Sequence, residues 1–161
     1  MMKILIVSDT HGHTENLERA LGQEEPIDAL IHCGDLEGSE DYIEALAECP
    51  CYMVAGNNDW FTDLDRELEV ELEGTKFLIT HGHNYGVSMN FSYLLEEGRS
   101  READVVLFGH IHRPVLEEYG DIILANPGSL SYPRQRGRKP TYLVMEIDKN
   151  KKIRFFEKIL N

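Results

Sequence analysis

The chain has 161 residues, 42% of them hydrophobic and 28% charged, and a formal charge of −13. That composition suits a single globular domain spanning residues 1–161 with a real core. The acidic balance disfavours stable binding to a nucleic-acid polymer, although bound divalent cations would still admit a phosphate-bearing substrate. No apolar run reaches membrane-spanning length, and the apolar start at Met1–Val7 is too short for a signal peptide, so a cytoplasmic protein without membrane contact is expected.

Lys3–Ser8 reads as a buried strand, β-branched and without polar alternation. Thr14 caps a helix whose stripe Leu17, Ala20 and Leu21 stops at Gly22. Ile27–Cys33 is a second strand, Ser39–Glu48 a second helix ended by Pro50, and Cys51–Ala55 a third strand. Strand and helix alternating with short connections predict right-handed crossovers and a parallel sheet. The character then changes. Leu68, Val70 and Leu72 alternate with glutamates, the pattern of a half-exposed antiparallel strand, and Gly74-Thr75 turns the chain into Lys76–Thr80. Met89–Glu97 reads as a helix bracketed by Gly86 and Gly98, and Asp104–Phe108 as a buried strand. Two hairpins follow, Val115–Tyr119 with Ile122–Ala125 and Thr141–Ile147 with Ile153–Ile159, whose alternation suits a second sheet packed on the first. The fold class is α/β: two stacked mixed β-sheets with helices outside. The three cysteines are odd in number and lack zinc-knuckle spacing, which predicts free thiols in a reducing compartment.

The chemistry gathers where apolar runs end. Asp9 and His11 close the first; at positions i and i+2 of an extended segment they would leave the same face. Asp35, Asn57, His81 and the pair His110 and His112 close four later runs. All seven histidines lie in or beside these clusters, which scattered core or surface histidines have no reason to do. Open sheets bind ligands beyond the carboxyl ends of their strands. Carboxylate, amide oxygen and imidazole without thiolate suit Mn, Fe, Zn or Ni rather than a structural zinc, and one carboxylate can bridge two cations.

Asp9-x-His11, Gly34-Asp35, Gly56-Asn57-x-Asp59, His81 and Gly109-His110-x-His112, in this order, resemble the calcineurin-like metallophosphoesterases. Ser8-Asp9-Thr10-His11-Gly12 and Asn126-Pro127-Gly128-Ser129 look most like their compact prokaryotic phosphodiesterase branch. The resemblance implies a four-layer αββα sandwich. It also implies two divalent metal ions, with Mn first and Ni, Zn, Fe or Mg as alternatives. One would be held by Asp9, His11, Asp35 and His112, the other by Asp35, Asn57, His81 and His110, with Asp35 bridging. A hydroxide between them would attack phosphorus in line.

One position departs from the pattern. Many relatives carry His after the third-motif Asn, where it protonates the leaving oxygen; here that residue is Asn58, which cannot be a general acid. His83 is a stand-in, or else a hydrogen-bonding partner that orients a ligand. His13 and His32 fit no ligand slot and are expected in supporting or surface roles, and Asp59 is expected to fix the Asn57-Asn58 loop. Trp60 and Phe61 either wall a substrate or pack in the core. Arg134, Arg136, Arg138 and Lys139 form the basic run of an acidic chain, either a solvated loop or a grip on the phosphate's substituent. The expected activity is therefore hydrolysis of a small phosphoester, a diester before a monoester. The competing reading is a non-catalytic protein-interaction scaffold, as the same fold serves in a retromer subunit. A homo-oligomer is compatible with the hairpin half.

Overall fold

The computed structural model describes residues 1–161. The first strand, β1 (Met2–Val7), leads through helix α1 (Glu15–Glu24) to β2 (Ala29–His32), and α2 (Glu40–Ala47) leads on to β3 (Cys51–Met53). The second half adds β4 (Glu67–Leu72), β5 (Thr75–Thr80), α3 (Ser92–Ser100), β6 (Val105–Leu107), β7 (Pro114–Tyr119), β8 (Ile122–Pro127), β9 (Thr141–Ile147) and β10 (Ile153–Ile159). Two five-stranded sheets result, in the orders β10-β9-β1-β2-β3 and β4-β5-β6-β8-β7. Both are mixed. β1, β2 and β3 run parallel, as do β5, β6 and β8, while β9, β10, β4 and β7 are antiparallel to their neighbours.

The alternation of side chains along each strand builds the layers. On β1, Ile4 and Ile6 point into a cluster shared with Phe77, Ile79, Val105 and Leu107, which is the interface between the sheets. Leu5 and Val7 point the other way, onto Leu17, Ala20 and Leu21 of α1 and Ile43 of α2. In the second sheet Leu78, Val106 and Leu124 turn outward onto Leu94 and Leu95 of α3. Helices, sheet, sheet and helix make the four-layer α/β sandwich anticipated above. No helix is long and apolar enough to cross a membrane.

Three boundaries differ from the sequence reading. Helix α1 does not stop at Gly22 but runs to Glu24, because the stop signal is Pro26: the residue before it, Glu25, is extended at ψ 143°. Helix α3 starts later than expected and contains Gly98 rather than ending at it. The β9–β10 hairpin joins the first sheet, not the second, with β9 antiparallel to β1. β9 is buried on both faces apart from Glu146, as a strand inserted between two others must be, and only the edge strand β10 keeps the in-and-out pattern.

Gly98 carries the contact between α3 and the second sheet. A Cβ there would lie 2.6 Å from Val106 Cγ2, inside van der Waals contact with a stiff β-branched side chain. Helix propensity favours Gly98→Ala by about 1 kcal/mol, whereas overpacking a filled core costs about 1–3 kcal/mol. Gly98→Ala is therefore expected to lower stability by about 1 kcal/mol, read as a lower urea midpoint at unchanged slope.

Candidate metal centre

Strand direction assembles the site. β1, β2 and β3 point the same way in one sheet and β5 and β6 in the other, so the loops after all five strands meet along one edge. The structure brings Asp9, His11, Asp35, His81 and His112 together there. Asp9 Oδ1 lies 3.2 Å from His112 Nε2, 3.7 Å from His11 Nε2 and 3.8 Å from His81 Nε2. Asp35 Oδ2 lies 3.3 Å from His81 Nε2 and 3.7 Å from His11 Nε2, between the two halves of the cluster. Asn57 and His110 stand at the rim, paired to each other at 3.1 Å (Asn57 Oδ1 to His110 Nδ1), with the His110 ring 5.2 Å from that of His81.

Asp9 and His11 do converge, but not by extended alternation. Both are in the left-handed region, at φ 54° and 50°, and so are Asp35 (62°), His110 (73°) and His112 (58°). Each such residue costs about 1–2 kcal/mol against its relaxed conformation, and five among the seven predicted ligands is a concentration of strain at one edge of the fold. Two glycines make the close approach possible. A Cβ on Gly56 would lie 2.2 Å from Asp35 Oδ1, and one on Gly109 would lie 2.1 Å from Ser8 Oγ and 2.7 Å from Asp9 Oδ2.

The partners of the rings fix which nitrogen is free. His81 Nδ1 faces the Cys33 carbonyl at 2.7 Å and His112 Nδ1 faces the Tyr132 carbonyl at 2.8 Å, so both donate there. In the neutral rings each Nε2 is then a lone pair aimed at a carboxylate. His11 Nε2 adds a third, 3.2 Å from His112 Nε2. Asp9 Oδ1 and His81 Nε2 are buried without a hydrogen-bond partner. Acceptors converging on acceptors in a dry site repel unless positive charge lies between them. Atoms each about 2.1 Å from one ion are about 3.0–3.4 Å apart at octahedral and tetrahedral angles, the spacing of the closest pairs here. The donor set fits a divalent metal; Asp9, His11 and His112 form one group that could hold an ion, and Asp9, Asp35 and His81 another.

Ionisation follows the same logic. Burial pushes the Asp9 carboxyl up, but the imidazoles of His11, His112 and His81 outweigh it and hold it far below the usual range. Burial is likewise overcome at Asp35, held down to about 2 by His81 and the Asn58 N–H. The nearby Asp9 carboxylate pushes His11 up against its burial, and at His81 the carboxylates of Asp35 and Asp9 likewise outweigh burial and push it up.

The supporting residues are sharply divided. Asp59, buried, accepts from the backbone N–H groups of Asp35, Leu36, Glu37 and Gly56 at 2.7–2.8 Å, so it ties the loop after β2 to the loop after β3 and does more than fix Asn57-Asn58. Asn58 turns toward Asp35, donating from its backbone N to Oδ1 at 2.9 Å and from Nδ2 to Oδ2 at 3.0 Å. His83 is half-buried beside His81 and His110, its Nδ1 unpartnered, and burial together with those rings keeps its pKa low. His13 is exposed against Tyr132. Trp60 and Phe61 are 76% and 109% exposed, which excludes the core-packing reading. Sequence reasoning missed Glu37, whose Oε1 lies 3.5 Å from His11 Nδ1, and the role of Ser129, whose Oγ donates to the Asp9 carbonyl at 2.8 Å. The signal for Glu37 was its place two residues after Asp35; Ser129 lay in the Asn126-Pro127-Gly128-Ser129 segment that the resemblance singled out, but its contact with Asp9, across 120 residues, had no local signal.

A family model described as the calcineurin-like phosphoesterase superfamily domain matches residues 2–150. The chain belongs to this superfamily. A phosphodiesterase of Methanocaldococcus jannaschii is 36% identical over 146 residues, covering 79% of this chain and 83% of that one. The crystal structure of a predicted phosphoesterase from Streptococcus pneumoniae superposes with a TM-score of 0.81 at 31% identity, covering 98% of each chain. Zinc-bound Vps29 of Entamoeba histolytica shares the fold at a TM-score of 0.78 and 20% identity, over 99% of this chain and 100% of that one. Membership places the chain among the metallophosphoesterases, and its convergent donors are where such a family's divalent metal would sit.

His32 gives the site a measurable pH signature. It is fully buried, accepts from Gly34 N at 3.1 Å through Nδ1 and donates to Thr10 Oγ1 at 3.0 Å, so it is neutral, and burial holds its pKa down to about 4. The unfolded chain takes up this proton near 6.5 and the native state only near 4. Stability that is complete above the unfolded value is thus lost as pH falls through that window, by about 3 kcal/mol. Urea unfolding in chelator is expected to show stability rising with pH between 4 and 6.5, with a shallower rise in His32→Asn, which keeps an acceptor at the Nδ1 position.

Proposed function

We propose that this protein is a phosphodiesterase with a dinuclear metal site, manganese first among the candidate ions. The observation that carries the reading is the convergence of Asp9 Oδ1, Asp35 Oδ2 and the Nε2 atoms of His11, His81 and His112, with Asp9 Oδ1 and His81 Nε2 buried and unpartnered. In this reading Asp9, His11, Asp35 and His112 hold one ion and Asp35, Asn57, His81 and His110 the other. Asp35 Oδ2, lying between His11 and His81, supports its role as the bridge. When bound, two divalent ions supply Lewis-acid stabilisation of charge on the phosphoryl group and a water acidic enough to ionise near neutral pH.

The remaining steps belong to the chain. Carbonyls of Cys33 and Tyr132 orient the His81 and His112 rings, and Asn58 and Asp59 fix Asp35, so the ligands are held before substrate arrives. Asn58 has no proton to give, and its amide is engaged on Asp35. His83, neutral and at the rim, is the imidazole left over to meet a leaving oxygen. The enzyme is therefore suited to esters whose leaving group departs as a stable anion. A diester preference is supported by the M. jannaschii relative and by the volume of the cleft beside His11 and His112, about 610 Å³. A small phosphoester is the proposed substrate and a metal-bound, cytoplasmic hydrolase the proposed form.

Metal-stripped protein is expected to be inactive, and Mn²⁺ to restore cleavage of bis-p-nitrophenyl phosphate in preference to p-nitrophenyl phosphate. Asp35→Ala is expected to lose at least about 10²-fold in kcat/KM. A monoester preference would make the protein a phosphatase; no turnover with metal bound would move the reading to the scaffold. Asn58→His should raise turnover of 2′,3′-cyclic AMP, whose alkoxide leaves poorly, by about 10²-fold, and leave the p-nitrophenyl ester little changed. No gain on the cyclic nucleotide would count against Asn58 as the missing acid.

A further inference from the structure

The basic run between β8 and β9 splits across two faces. Arg134 and Arg138 line the cleft of about 610 Å³ with His11, Glu37, His112 and Tyr132. Arg136 and Lys139 line a different hollow, against Glu157, Lys158 and Ile159 of β10. Arg134 is placed by the site itself. The Tyr132 carbonyl accepts from His112 Nδ1 at 2.8 Å, and the Arg134 N–H donates to the His112 carbonyl at 2.8 Å, so the loop grips one metal-site residue from both sides. Neither cleft-facing guanidinium makes an ion pair, and nor do Arg136 and Lys139, so the cleft that Arg134 and Arg138 line is what sets them apart. In a chain of net charge −13, two unpaired arginines beside a site for a phosphoester put positive charge where an anionic substituent would lie. Glu37, the carboxylate in the same cleft, is turned to His11.

We propose that Arg134 and Arg138 form a subsite for a second anionic group on the substrate. The physiological ester would then be a phosphodiester whose substituent carries a further phosphate, as in a nucleotide phosphorylated at a second position. Guanidinium forks match phosphate oxygens in pairs, and a cleft of this volume holds a ligand of nucleotide size. The inference rests on the phosphodiesterase reading for which ester is cut, but the subsite can be read by binding alone.

The test compares the p-nitrophenyl ester of thymidine 5′-phosphate with the same ester bearing a 3′-phosphate, using Mn²⁺-loaded protein. The 3′-phosphate is expected to raise kcat/KM by about tenfold or more, mainly through KM, as for a charge-assisted phosphate contact. Arg134→Ala/Arg138→Ala should erase that ratio. Arg136→Ala/Lys139→Ala removes the same charge from the other face and should keep it. No preference in the wild type, or equal loss of the ratio in both double variants, would overturn the subsite. If neither ester is cleaved, the phosphodiesterase reading fails on its own. Titration calorimetry with thymidine 3′,5′-bisphosphate against thymidine 5′-phosphate then decides the subsite: selective loss of the bisphosphate advantage in Arg134→Ala/Arg138→Ala sustains it, and an unchanged advantage overturns it.

Discussion

Two buried carboxylates, Asp9 and Asp35, face the ring nitrogens of three imidazoles, and two of the converging atoms, Asp9 Oδ1 and His81 Nε2, are buried with no hydrogen-bond partner. The rest of the structure depends on that arrangement and makes sense of it. Positive charge has to enter, either as protons, toward which the raised affinities of His11 and His81 point, or as a divalent cation. Without either, the desolvation of the acids has nothing to offset it. Strain, glycines and buried polar partners all serve to keep these acceptors together.

The surroundings are stiff for a physical reason. Metal ligation needs side chains fixed to within a fraction of an ångström, yet all of these residues lie on loops, the least ordered parts of a fold. The loops are held by polar partners instead of by packing. Asp59 gathers four backbone N–H groups from two loops. His32 joins a third loop, through Thr10, to the turn at Gly34. Asn126 reaches the Gly109 carbonyl from the second sheet. Left-handed residues turn the chain sharply enough for successive ligands to aim inward, at a strain that only an over-determined surrounding can hold. The same frame carries the loop with Arg134 and Arg138, which is hydrogen-bonded to His112 through Tyr132 and Arg134.

Much was legible in advance. The buried strands β1, β2 and β3 read directly from β-branched runs, the Glu67–Leu72 alternation from its period, and the ligand residues from their placement where apolar runs end. The misreadings came from local signals that tertiary contacts overrode. Gly22 and Gly98 look like helix stops, but Gly22 sits inside a helix that Pro26 ends, and Gly98 is small because Val106 stands against it. The β9–β10 hairpin looked like an edge of the second sheet, since a strand buried on both faces cannot be told from a half-buried one by composition alone. Trp60 and Phe61 are apolar and yet exposed, which periodicity has no means of reporting.

The sequence by itself determined the elements, the layer order they imply and the inventory of metal-capable side chains, because strand and helix periods and residue chemistry are local properties. Only the tertiary structure decided which acceptors converge, which ring nitrogen is free, that Glu37 and Ser129 support His11 and Asp9, and which two cations of the basic run face the cleft. Those outcomes depend on contacts between residues tens to more than a hundred positions apart, such as His11 with His112 and Asp9 with Ser129. They are set by how two sheets pack edge over edge, and no window of sequence contains that information.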